Sequence, residues 1–224
     1  MNIGANIKLV AQRMTVLRGG FWLTNWIERM KIIVSSERNG VPTLSIPYSG
    51  RFSSAPNPVL IVKRVGSPRY ARVLVVIDKI TPTASALIGE ARTLAPEANL
   101  VLLYVFQSSL EDRLRYVDAS EEKLSKVRMQ RHEEALDAMS ALLYTAGLDR
   151  SEVITVAENG DLATVALKFA SELQVDLTVI GTRSTSALRR LFFRNPVTEI
   201  VENAACDVLT VPVEIMGAPH ELEQ

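Results

Sequence analysis

The chain has 224 residues, 47% of them hydrophobic and 22% charged, with a formal net charge of zero. That balance excludes a disordered, collagen-like or disulfide-dense chain and leaves room for one domain with a sizeable appendage. Cys206 is the only cysteine, so no intrachain disulfide can form.

Arg13, Arg18 and Arg29 interrupt Met1 to Val34, and no apolar run in the chain is long enough to span a bilayer, so a cytoplasmic location is expected. The zero net charge conceals an asymmetry. Residues 1–72 carry eleven Lys and Arg against two Glu, and the remainder carries fourteen against twenty-three. A basic segment ahead of an acidic domain is expected to dock on it in cis, with binding to an anionic surface as the alternative. The segment also holds Trp22 and Trp26, and Phe21 to Ile27 is expected to pack on a core rather than lie on a membrane. A turn-rich stretch runs from Asn39-Gly40-Val41-Pro42 through Tyr48-Ser49-Gly50, and the apolar run Val59-Leu60-Ile61-Val62 follows.

From Tyr70 onward, strand and helix patterns alternate. Val73 to Ile77 is a β-branched run closed by Asp78, as for a strand buried on both faces. A helix is expected from Thr81-Pro82-Thr83 to Leu94, with Leu87, Ile88, Ala91, Leu94 and Ala95 on one face. Leu100 to Phe106 is the second strand, and Gln107 to Ser120 is a polar connection. Glu121 to Ala146 is a long amphipathic helix with Leu124, Val127, Leu136, Met139 and Leu143 inward and Gly147 as its C-cap. Val153 to Val156 is the third strand. Asn159-Gly160-Asp161 makes a turn and a cap for a helix from Leu162 to Leu173. Leu177 to Ile180 is the fourth strand. Asn195 caps a helix with Pro196 at its first position, and Val208 to Val213 is the fifth strand.

Strands separated by helices imply right-handed parallel crossovers. The expected class is therefore α/β: an open five-stranded parallel sheet with helices on both faces, plus an N-terminal partial repeat. The repeat rests on two echoes. Ser54 to Val62 matches Asn203 to Val211, with Val59-Leu60 returning as Val208-Leu209 149 positions later. Lys31-Ile32-Ile33-Val34-Ser35 more loosely matches Leu177-Thr178-Val179-Ile180-Gly181. The expected organisation is an extension over residues 1–69, a domain over 70–217 and a tail over 218–224.

Val73–Asp78, Leu102–Phe106, Asn159-Gly160-Asp161 and the Gly181 segment, in that order, make the chain from Tyr70 to Val213 resemble a universal stress protein domain. The first segment resembles the remnant of a first copy in a tandem member. The resemblance implies a Rossmann-like fold of the adenine nucleotide alpha hydrolase type and a homodimer through the last strand, here Val208, Leu209, Thr210 and Val211. The family's nucleotide-binding branch uses an aspartate ending the first strand, a residue at the end of the second, and G-x2-G-x9-G-[S/T]. Asp78, Val105 and Gly181 match; Ser184 stands for the second glycine, and Arg194-Asn195 stands where Gly-Ser or Gly-Thr belongs.

A helix start binds phosphate through unpaired N–H groups. Pro196 has none, Asn195 caps the next donor itself, and Ser184 and Arg194 remove the freedom that glycine gives. The expectation is a degenerate motif with no cofactor. The alternative is a switch that binds ATP or AMP with magnesium at the strand ends, with Asp78, Val105, Gly181, Arg183, Ser184, Arg194 and Asn195 as its candidate residues and the side chains of Arg183, Arg189, Arg190 and Arg194 holding phosphate.

His132 and His220 are scattered, Cys206 falls in an apolar pattern, and the pairs Glu111-Asp112, Glu121-Glu122 and Glu133-Glu134 are sequence neighbours. None forms a Ser-His-Asp, Cys-His or zinc set, so no enzyme and no metal are expected. Nor is a nucleic-acid partner. The apolar last strand would be an exposed edge unless it pairs with its copy in a second subunit or with Val59–Val62. Pro212 limits that pairing.

Overall fold

The computed structural model describes residues 57–63, 69–81, 84–106, 120–182 and 195–213, together with the strands Lys31–Val34, Ser36–Arg38 and Val41–Thr43. Strands β1 (Lys31–Val34), β2 (Ser36–Arg38), β3 (Val41–Thr43) and β4 (Val59–Val62) come from the first segment. The domain follows as β5 (Arg72–Ile77), α1 (Ala84–Leu94), β6 (Asn99–Phe106), α2 (Glu121–Thr145), β7 (Val153–Asn159), α3 (Leu162–Glu172), β8 (Leu177–Thr182), α4 (Pro196–Asn203) and β9 (Asp207–Pro212).

The main sheet has seven strands in the order β1-β4-β9-β8-β5-β6-β7. Its last five are parallel throughout, as expected for an α/β domain. Their continuous apolar sequences follow from burial on both faces: in β5, Val73 to Ile77 are all buried. One face packs under α1 and α2 through Val75, Leu102, Leu87, Met139 and Leu143. The other packs under α3 and α4 through Leu74, Leu103, Ala166, Ile200 and Val208.

Two helix ends show how local sequence sets these boundaries. After α2, Gly147 takes a left-handed φ of 68°, the Gly147 N–H donates to Tyr144 O and the Leu148 N–H to Leu143 O. Those two hydrogen bonds satisfy two of the carbonyls a helix end leaves open. After α3 the same pattern recurs, with Gln174 N–H on Ser171 O and Val175 N–H on Ala170 O, but the left-handed residue is Gln174 at φ 49°. Along α2 the buried side chains are Leu124, Ala135, Met139, Leu142 and Leu143. Val127 and Leu136, expected inward, are only partly covered.

The first segment extends the sheet beyond the five expected strands. β4 lies antiparallel on the outer edge of β9, and β1 lies parallel beside β4. Of the two pairings open to the last strand, this structure makes the one within the chain, so a second subunit at β9 would have to displace β4. β1 stands to β4 as β8 stands to β9. Lys31 is opposite Val59 and Thr178 is opposite Val208, so the fold equates Lys31 with Thr178, one residue from the sequence echo. The antiparallel pair β2–β3, with Arg38 opposite Val41, flanks Asn39-Gly40 and was not foreseen as strands.

Candidate functional site

In an open α/β sheet the ligand crevice lies beyond the carboxyl ends of the strands, where the chain reverses its direction of winding. Here β5 leads toward β6 and β7 while β8 leads toward β9, so the reversal falls between β5 and β8. Register brings the expected residues to that end. Val76 is opposite Ile180, which sets Asp78 and Gly181 on neighbouring strand ends, and Ile77 is opposite Tyr104, which sets Val105 beside them. α4 starts there too, since it joins parallel strands, with Asn195 at its cap. Arg183, Ser184, Arg189, Arg190 and Arg194 lie outside the described residues.

The four described residues differ in what they present. Asp78 is exposed at the end of β5. Val105 is 4% exposed and sits in the core under α3 and α4, with its side chain committed to packing. Burial, and secondarily the Asp78 charge, push the phenol of the neighbouring Tyr104 above its usual value. Tyr104 and Phe106 place their rings 5.9 Å apart on the α1–α2 side.

Gly181 does not take the left-handed backbone that would demand glycine. A Cβ there would meet Val213 Cγ2 at 3.2 Å and Leu87 Cδ1 at 3.6 Å. The space that glycine leaves is therefore bounded by apolar side chains of α1 and of the residue after β9. At the start of α4, Asn195 Oδ1 accepts from the Val197 N–H at 3.0 Å, and Pro196 occupies the first helical position. Of the N–H groups a helix start ordinarily offers, one is absent and one is already bonded.

A second polar cluster, which sequence reasoning missed, lies at the opposite end of the sheet. Asp207, 3% exposed, accepts from the Lys63 N–H on Oδ1 and from the Tyr70 hydroxyl on Oδ2, both at 2.8 Å. The Lys63 ammonium donates to Ala204 O. Burial lowers the Lys63 ammonium below its usual value, and burial followed by the Asp207 charge raises the Tyr70 phenol. Both ends of the β4–β5 connection thus meet one carboxylate. The legible signal was an aspartate opening an otherwise apolar strand. Cys206 is buried beside Thr178, with 3.2 Å between Sγ and Oγ1. His132, Glu133 and Glu134 are exposed on α2. Among the described residues, no group of three His, Cys, Asp or Glu is arranged to hold a metal, and no helix is long and apolar enough to cross a membrane.

A five-stranded parallel core, wound both ways from β5, with an aspartate at the point of reversal and a capped helix start at the same end of the sheet, defines a Rossmann-like α/β domain. The sequence profile of the universal stress protein family matches residues 69–212, and the chain belongs to that family. No curated protein matches it. Among solved structures it is similar to a protein of unknown function from Pseudomonas aeruginosa PAO1, at 17% identity and a TM-score of 0.60, over 95% of this chain and 79% of that one. It is also similar to a universal stress protein from Archaeoglobus fulgidus DSM 4304, at 16% identity and a TM-score of 0.52, over 86% of this chain. The match spans 64% of that protein's length. At these identities the likeness is one of fold.

Proposed function

We propose that this universal stress-type protein is a non-enzymatic interaction or regulatory module whose nucleotide corner is degenerate. The observation that carries the reading is the start of α4, where Pro196 offers no N–H and the Asn195 side chain takes the N–H of Val197. Backbone phosphate binding needs those donors free and aimed at the anion. The packing of Val213 and Leu87 against Gly181 supports the same reading, because a glycine there serves side-chain packing.

Thermal unfolding in ATP, AMP and magnesium tests it. A ligand held at one hundred times its Kd adds about 2.7 kcal/mol, which for a chain of this size raises Tm by several degrees. Millimolar nucleotide is expected to leave Tm unchanged. A rise of several degrees, lost on Asp78→Ala, would replace this reading with a nucleotide-dependent switch.

A further inference from the structure

β7 ends the sheet on the side away from the first segment, and among the described residues no strand lies beyond it. The devices that blunt a natural sheet edge are missing from it. It is seven residues long, holds no proline and no lysine, and opens with four β-branched residues, Val153 to Val156. Its backbone direction follows from one bond. The Gly160 N–H donates to Phe106 O at 3.1 Å, toward β6. Alternate residues of a strand send their N–H and C=O groups to opposite sides, so Ile154, Val156 and Glu158 also address β6. Val153, Thr155 and Ala157 address the free edge. The side chains divide between the two faces of the sheet. Val153 and Ala157 pack in the core under α1 and α2, and Val156 packs against the core under α3 and α4. Ile154, on the same face as Val156, is 62% exposed.

A second β7, laid antiparallel with Thr155 opposite Thr155, satisfies both patterns. The residues that address the edge then meet one another, Val153 opposite Ala157 and Thr155 opposite its copy, and each such pair exchanges two N–H···O=C bonds. On the other face Ile154 comes opposite Val156, an apolar pair at a position where cross-strand side chains approach closely. Centring the pairing on Val156 instead would set Ile154 opposite the carboxylate of Glu158, which favours the Thr155 register. Beyond the strand, Glu158 then comes opposite Glu152, whose carboxylate Arg92 holds at 3.0 Å, so a countercharge stands at that rim.

We infer that β7 is an interface strand on which a second copy of this chain docks, making one continuous sheet across a two-fold axis at Thr155. The occupant is a second copy because the strand complements itself: one register pairs its edge-directed backbone groups and matches apolar residues on both faces, as an isologous contact requires. The inference does not draw on the state of the nucleotide corner.

The test uses the full chain. By light scattering at tens of micromolar, the native protein is expected at twice its monomer mass of 24.7 kDa. Thr155→Pro deletes an N–H that addresses the free edge and leaves the ladder to β6 its donors, and the folded variant is expected at the monomer mass. Ile154→Lys, a charge at an exposed edge position, is expected to give the same result. Ile154→Cys/Val156→Cys sets thiols of two chains opposite each other, within disulfide reach, and oxidation is expected to link two chains where the native protein stays unlinked. A native chain at the monomer mass, a folded Ile154→Lys at twice that mass, or a double-cysteine variant that oxidation leaves unlinked would each overturn the inference. Should Thr155→Pro fail to fold, the other two variants still decide, because neither changes a backbone donor.

Discussion

The Val197 N–H donates to the Asn195 side-chain oxygen at 3.0 Å, one residue past a proline that has no N–H to give. In a phosphate-binding corner those two positions would offer donors to the ligand. Here the chain's own side chain accepts the Val197 donor, the bond on which the proposed degenerate corner rests.

The cap carries a measurable share of stability. Asn195→Ala leaves Val197 without that acceptor and is expected to cost about 1 kcal/mol, whereas Asn195→Ser, which can still accept, costs a few tenths. Equilibrium urea unfolding of the two variants checks this. Equal losses would mean that the side-chain bond contributes nothing.

Gly181 is a packing glycine in this account. Gly181→Ala places a Cβ 3.2 Å from Val213 Cγ2, and overpacking of this kind costs roughly 1–3 kcal/mol. With Val213→Ala already in place, the same substitution is expected to cost much less, a coupling of about 1 kcal/mol in a double-mutant cycle. Additive losses would show that Val213 is not what fills the space.

The ends of α2 and α3 make opposite predictions from the same motif. Gly147 at φ 68° is suited to its left-handed position, so Gly147→Ala is expected to destabilise by about 1 kcal/mol. Gln174 at φ 49° is not, so Gln174→Gly is expected to stabilise by up to about 1 kcal/mol, less the bond its side chain makes to Ser171 O. Urea midpoints that move in the same direction for both would contradict the assignment.

Alkaline pH probes the Asp207 cluster. Burial, then the Asp207 charge and hydrogen bond, raise the Tyr70 phenol above its usual 10.0. The folded chain keeps a proton that the unfolded chain releases, so this contribution is intact below pH 10 and lost progressively above it. Burial raises the Cys206 thiol above 9.0, with the same sign from pH 9 upward. Lys63 acts oppositely: its lowered ammonium favours the folded state increasingly as pH rises toward 10.5. Tyr70→Phe is therefore expected to flatten the loss of stability between pH 10 and about 11. Denaturation curves for native and variant that run parallel across that range would remove Tyr70 from the account.

Most of the fold was legible in the sequence because its signals are local. The runs at Val73–Ile77 and Leu100–Phe106, the cap at Asp161 and the pair Asn195-Pro196 each lie within one element, and each falls where the pattern places it. The parts that were not legible depend on residues far apart in the chain. Which of two possible partners β9 meets is not set by its own sequence, and the bond between Lys63 and Asp207, 144 positions apart, is advertised by neither residue. What surrounds Gly181 was likewise hidden. A glycine matching a phosphate motif and a glycine making room for Val213 have the same one-letter code, and only the neighbouring side chains distinguish them. The weak echo at Lys31 was misaligned by one residue because four apolar residues in a strand carry little register information.

A crystal of the full chain grown with millimolar magnesium ATP tests the central claim most directly. Asn195 Oδ1 is expected still to hold the Val197 N–H, with no phosphate between Asp78, Gly181 and the start of α4. Phosphate oxygens accepting main-chain N–H groups at Val197 or Thr198, with the Asn195 side chain turned away, would contradict it.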